Sequence, residues 1–130
     1  MSKFLNISNH TLSFEQVEEL KAKGFDEIIE LPAELKSAWA QCNPESYRDL
    51  CKKIKDFMKE NGITSAHLAG FPAAVSYMCV KPVRGTAFFY AFSERVSVEE
   101  TQADGSVVKK NVFKHKGFFE YELNWDSNEI

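Results

Sequence analysis

From Lys3 to Ser93 the chain alternates short apolar runs with amphipathic segments set off by Gly, Pro and capping residues. That alternation constrains the fold more than any other feature. Lys3 to Ile7 is an apolar run that reads as a first strand, ending in the polar loop Ser8-Asn9-His10-Thr11. Ser13 and Gln16 fit a capping box, and Leu12 with Val17 fits a hydrophobic staple. Phe14, Val17 and Leu20 then fall on one helical face, and Gly24 stops the helix. Glu27 to Leu31 is a second strand closed by Pro32. Leu35 and Trp39 lie four apart on a short helix. Asn43 as cap and Pro44 at the first helical position open the most regular helix, which Gly62 closes. Its apolar positions are Tyr47, Leu50, Cys51, Ile54, Phe57 and Met58. Ser65 to Ala69 is a third strand, and a helix from the Gly70-Phe71-Pro72 turn runs to about Val80. Ala87 to Ser93, with almost no polar residue, is expected to be a fourth strand covered on both faces. Three strand–helix units followed by a strand predict a parallel α/β sheet.

The last forty residues change character. Arg95 to Gln102 and Ser106 to Phe113 flank Ala103-Asp104-Gly105, a hairpin signal. Phe119, Tyr121 and Leu123 alternate with Glu120, Glu122 and Asn124, which reads as one more, half-exposed strand. The expected architecture is α/β: a small Rossmann-like, mainly parallel sheet flanked by helices, with a C-terminal antiparallel hairpin extension. At 130 residues the chain fits one domain, taken as residues 1–125, with 126–130 a frayed tail.

Composition narrows the function. Sixteen basic against nineteen acidic side chains give a net charge of −3, which argues against strong nonspecific duplex binding. A small anionic ligand held by a local basic cluster is still compatible with that balance. The three cysteines form no Cys-x-x-Cys pair and read as reduced thiols of a cytoplasmic protein. Neither a signal sequence nor a membrane-spanning run is expected, and neither are a Walker loop, a Gly-x-Ser-x-Gly elbow or a His-Glu-x-x-His helix.

Ligands of open parallel sheets sit beyond the carboxyl ends of the strands, near helix N-termini. This rule selects Ser8, Asn9 and His10 after the first strand, Gly70 after the third, and Ser93, Glu94 and Arg95 after the fourth. The segment Lys114-His115-Lys116 adds a basic knot. Each also has a structural reading: Ser8 as a loop cap, Gly70 as a turn residue, His67 as a packed core histidine. Phosphate chemistry using Ser, His, Lys and Arg, without a metal or other cofactor, is what the inventory leaves.

The blocks Phe4-Leu5-Asn6-Ile7-Ser8-Asn9-His10, Ile29-Glu30-Leu31-Pro32-Ala33-Glu34-Leu35-Lys36, Ser93-Glu94-Arg95, Asp104-Gly105-Ser106 and Phe113-Lys114-His115 resemble the small stand-alone CRISPR-associated ring nucleases with a CARF-like fold, accessory proteins of type III systems. The chain departs from that pattern at Ala69-Gly70-Phe71-Pro72, where relatives would carry an acidic residue or a second glycine. The resemblance implies a homodimer that binds cyclic oligoadenylate, most often the tetraadenylate ring, over its two-fold axis. It implies metal-independent cleavage by the ribose 2′-hydroxyl. Ser8, His10 and His115 would be the catalytic residues, and Asn9, Gly70, Ser93, Arg95 and Lys114 would bind the ligand. A non-catalytic sponge for the same ring, or a generic nucleotide- or protein-binding module, is the alternative. No membrane or duplex partner is implied.

Overall fold

The computed structural model describes residues 2–123. The expected frayed tail, and Asn124 of the expected last strand, lie outside them. The order is β1 (Lys3–Ile7), α1 (Phe14–Ala22), β2 (Glu27–Glu30), α2 (Ala33–Ala40), α3 (Tyr47–Glu60), β3 (Ser65–Leu68), α4 (Pro72–Val80), β4 (Ala87–Thr101) and β5 (Val107–Glu120). The five strands form one mixed sheet in the order β2-β1-β3-β4-β5. The first four are mutually parallel, and β5 returns antiparallel to β4. Among the described residues no helix is long and apolar enough to cross a membrane.

Alternation along the central strands divides the core between the two faces of the sheet. Leu5, Ile7, Ala66, Leu68 and Phe88 point toward α2, α3 and α4, where they meet Trp39, Ile54, Met58 and Met78. Phe4 points the other way and packs with Leu20 of α1 and Phe118 of β5. The capping box forms as expected: Ser13 Oγ accepts from the Gln16 amide and Gln16 Oε1 from the Ser13 amide. Cys51 is buried beside Ala74, and burial pushes its thiol up to about 11, so it packs as an apolar side chain.

Four local expectations are corrected. Helix α3 begins at Tyr47, because Asn43 Oδ1 accepts from the Glu45 and Ser46 amides and caps a separate turn first. Phe14 is 78% exposed and does not join the buried face of α1. β4 is not covered on both faces: Phe89 and Ala91 pack on the cluster of Phe4, Leu20 and Phe118, whereas Tyr90 and Phe92 on the other face stay exposed. The separate hairpin and last strand are a single long β-ribbon. Phe92 pairs with Gly117 and Ser93 with His115, so Lys116 is an extra, bulged residue between two halves of one strand. Beyond the bulge, Ser93–Thr101 and Val107–His115 form a mostly exposed two-stranded arm about 30 Å long.

Candidate functional site

The carboxyl ends of β1 and β3 lie side by side, and Asn6 and Ser8 point to the α1 face there. Both side chains are buried. A buried amide must use its hydrogen-bonding groups, and Asn6 uses both of its atoms. Its Nδ2 donates to the His10 carbonyl at 2.8 Å and to the Glu30 carboxylate at 3.3 Å. Its Oδ1 accepts from Ser8 Oγ at 2.7 Å and from His67 Nδ1 at 2.9 Å. Because Nδ2 is committed to two acceptors, His67 must donate through Nδ1. Ser8 Oγ in turn accepts from the His10 amide at 3.2 Å. Both backbone groups of His10 are thus tied to buried side chains, while its imidazole stands exposed beyond the strand.

A second network joins α1 to the bulge. Glu19 accepts from His115 Nε2 at 2.6 Å, from the Phe118 amide at 2.8 Å and from Lys23 Nζ at 3.1 Å. Burial works against the Glu19 carboxylate, but the Phe118 amide, His115 and Lys23 together outweigh it and hold its pKa below the usual range. The opposite nitrogen, His115 Nδ1, is buried without a hydrogen-bond partner. The two networks meet at Phe118, whose ring makes edge contacts with both His67 and His115.

Burial, and after it the nearness of His10, pushes His67 down to about 4 against the opposing pull of Glu30. The imidazole is therefore neutral in the folded protein. The unfolded chain binds the extra proton from its ordinary value near 6.5 downward, so this contribution to stability is complete above that value and is lost as pH falls toward 4. Its size is on the order of 3 kcal/mol. The Glu19 contribution is lost only below its own ordinary value of 4.5, so the windows separate. Thermal melts should therefore show a fall in Tm between pH 7 and 5 that His67→Gln removes. A Tm that stays level over that range in the native protein would contradict a neutral buried His67.

The residues expected from the sequence fall into three groups. Ser8, Asn9 and His10 come together in one turn at the end of β1. Ser93, Arg95 and His115 lie on one face of the ribbon through the register Ser93↔His115 and Arg95↔Phe113. The Arg95 guanidinium sits 5.8 Å from the centre of the Phe113 ring. Lys114 pairs with Glu94 and so faces the opposite side of the ribbon. Gly70 stands apart from both networks. Trp39 Nε1 donates to the Ala69 carbonyl at 2.9 Å, and a Cβ on Gly70 would lie 2.6 Å from that nitrogen. With φ at +155°, Gly70 serves the close approach of the indole.

Ser93, His115, Phe113, Ser13 and Phe14 line a cleft of about 460 Å³ between the start of α1 and the ribbon. A groove of similar volume between α2 and α3 is lined by Glu34, Glu45 and Asp49 with Lys53, a surface that disfavours a polyanion. Among the described residues no group of three or more His, Cys, Asp or Glu is placed to hold a metal ion. The sequence reading missed Asn6 and Glu19, whereas His67 is the packed, hydrogen-bonded core histidine that it expected. An amide inside an otherwise apolar strand was the available signal for Asn6; Glu19 offered none.

Comparison with curated proteins and with solved structures finds no match in either set. The sequence model of the uncharacterized protein MJ1673 family matches residues 2–119, and the chain belongs to that family.

Proposed function

We propose that this protein is a metal-independent ring nuclease that opens cyclic oligoadenylate, the tetraadenylate ring foremost, and so switches off type III CRISPR signalling. The finer reading of the fold goes with it: we read the sheet as Rossmann-like and CARF-like, a reading supported by the parallel order 2-1-3-4 that doubly wound sheets commonly have. The observation that carries the proposal is the anchoring of His10. Buried Asn6 and Ser8 hold its backbone at the carboxyl ends of the strands, where such sheets take their ligands, and leave its imidazole free.

In the reaction the ribose 2′-oxygen attacks its own phosphorus and the bond to the 5′-oxygen breaks. The products are a 2′,3′-cyclic phosphate and a 5′-hydroxyl. His10 takes the 2′ proton or supplies one to the departing oxygen. Asn9 and Arg95 donate to the nonbridging oxygens, where charge develops. Ser8 acts as a positioning residue, since its hydroxyl is committed to Asn6. Holding the ring so that the 2′-oxygen, phosphorus and 5′-oxygen align supplies further acceleration.

Product chromatography after mixing the protein with excess cyclic tetraadenylate in EDTA tests this reading. Linear products ending in a 2′,3′-cyclic phosphate are expected. Tight binding with the ring recovered intact would mean sequestration. Activity that appears only with added magnesium or manganese would overturn the metal-free mechanism.

The same reading makes the protein a homodimer in the cytoplasm. On the ribbon face away from α1, Tyr90, Phe92 and Phe119 are 38%, 49% and 46% exposed; Phe119 stacks on Tyr90 and meets Phe92 edge-on. Val96, Val98, Val108 and Val112 continue that face along the arm, interleaved with Glu94, Lys114, Glu100 and Lys110. A two-stranded ribbon this long is marginal alone, so a second copy lying against it stabilises both. Light scattering should give a particle of twice the 14.8 kDa chain mass. A monomer with and without ligand would count against the dimer.

A further inference from the structure

We propose that Phe14 and Phe113 are the two walls of a nucleobase clamp, and that an adenine base enters the cleft between α1 and the ribbon. This rests on the reading of the ligand as an adenylate. Phe14 is 78% exposed and Phe113 72%, the two most exposed aromatic rings among the described residues, and both line one cleft. What sets this pair apart is that two exposed rings from distant parts of the chain share one cleft, each offering a large apolar face. The other exposed rings differ in this respect: Tyr90, Phe92 and Phe119 pack against each other. Among the described residues neither Phe14 nor Phe113 contacts another aromatic ring.

The rest of the lining is polar: Ser13, Glu15, Gln16, Ser93 and His115. Ser93 brings a hydroxyl, and the His115 side chain is only 10% exposed and has a nitrogen, Nδ1, without a partner. A base edge carries both donors and acceptors and can meet the hydroxyls and carboxylate of this lining, which an aliphatic ligand cannot. Arg95 lies over Phe113 and can reach the phosphate attached to a base stacked there. The position also agrees with the chemistry. Phe14 opens α1 four residues beyond His10, so the cleft and the Ser8–His10 turn lie at the same end of the chain segment joining β1 to α1. Stacking on Phe is tolerant of which base is bound, so selection for adenine falls to the polar edge contacts.

The test is calorimetric titration of the intact protein with three probes: cyclic tetraadenylate, linear tetraadenylate, and an abasic ribose-phosphate tetramer of the same charge. Phe14→Leu and Phe113→Leu should each weaken binding of the adenylates by roughly 10-fold or more, the usual scale for losing one stacked base. Phe14→Tyr and Phe113→Tyr should retain it, and the abasic tetramer should bind all variants alike. Circular dichroism checks that these surface variants stay folded. Binding of the linear adenylate with that dependence, but not of the ring, would uphold the clamp and overturn the ring nuclease. Ring binding that is indifferent to both leucine variants would overturn the clamp and leave the ring nuclease standing. Equal losses for the abasic probe, or no adenylate binding at all, would also overturn the clamp.

Discussion

Replacing His10 with alanine should slow opening of cyclic tetraadenylate by ~10²-fold or more while leaving Tm unchanged. The two halves of this expectation come from different features. The imidazole is exposed and its removal leaves no buried group unpaired, so folding should not register the change. The backbone of His10 is bound at both its amide and its carbonyl, so the loss reports on chemistry and not on a displaced loop. His115→Ala provides the contrast. It removes a 2.6 Å bond to Glu19, an interaction of roughly 1.5–3 kcal/mol for a charged partner, and should lower Tm. Single-turnover rates and thermal melts on both variants separate the roles. A full rate in folded His10→Ala would remove His10 from the mechanism.

Asn6→Leu should produce the largest combined loss. The substitution is close in size but strips the acceptor from Ser8 Oγ and His67 Nδ1 and the donor from the His10 carbonyl. An unsatisfied buried group costs about 1–3 kcal/mol, and Ser8 can recover part by turning to the His10 carbonyl, already 3.2 Å away. A net cost of about 3 kcal/mol is expected, or roughly 10 °C in Tm for a domain of this size. Turnover should fall with it, because His10 loses its anchor. A Tm within about 2 °C of the native protein would show that the amide does not organise the site.

Much of this arrangement is written locally, and that part was legible. The capping box at Ser13 and Gln16, the Pro72 start of α4 and the Asp104-Gly105 turn all follow from interactions within four residues. The alternation of elements was enough to predict that the first four strands run parallel, though not the order in which they pair. What was misread has a physical origin in each case. The bulge at Lys116 shifts the two-residue period by one, so the halves of β5 look like separate strands when read in sequence. Asn43 makes a real cap, but for a turn that precedes the helix.

The site itself was legible only where the chain is contiguous. Ser8, Asn9 and His10 were singled out because open parallel sheets take ligands beyond their strand ends, and being contiguous they do share one turn. Glu19 and His115 are 96 residues apart, and no pattern in the chain announces their contact. Lys114 and His115 are adjacent in sequence, yet strand alternation sends them to opposite faces. Gly70 was expected to admit a phosphate, whereas the space a Cβ would fill is occupied by the Trp39 indole.

A crystal structure of the protein with cyclic tetraadenylate tests the central claim most directly. It should show the ring at the carboxyl end of β1, with a 2′-oxygen or 5′-oxygen about 3 Å from the His10 imidazole and Arg95 on a nonbridging oxygen. A ring seated elsewhere on the surface, with the Ser8–His10 turn empty, would contradict it.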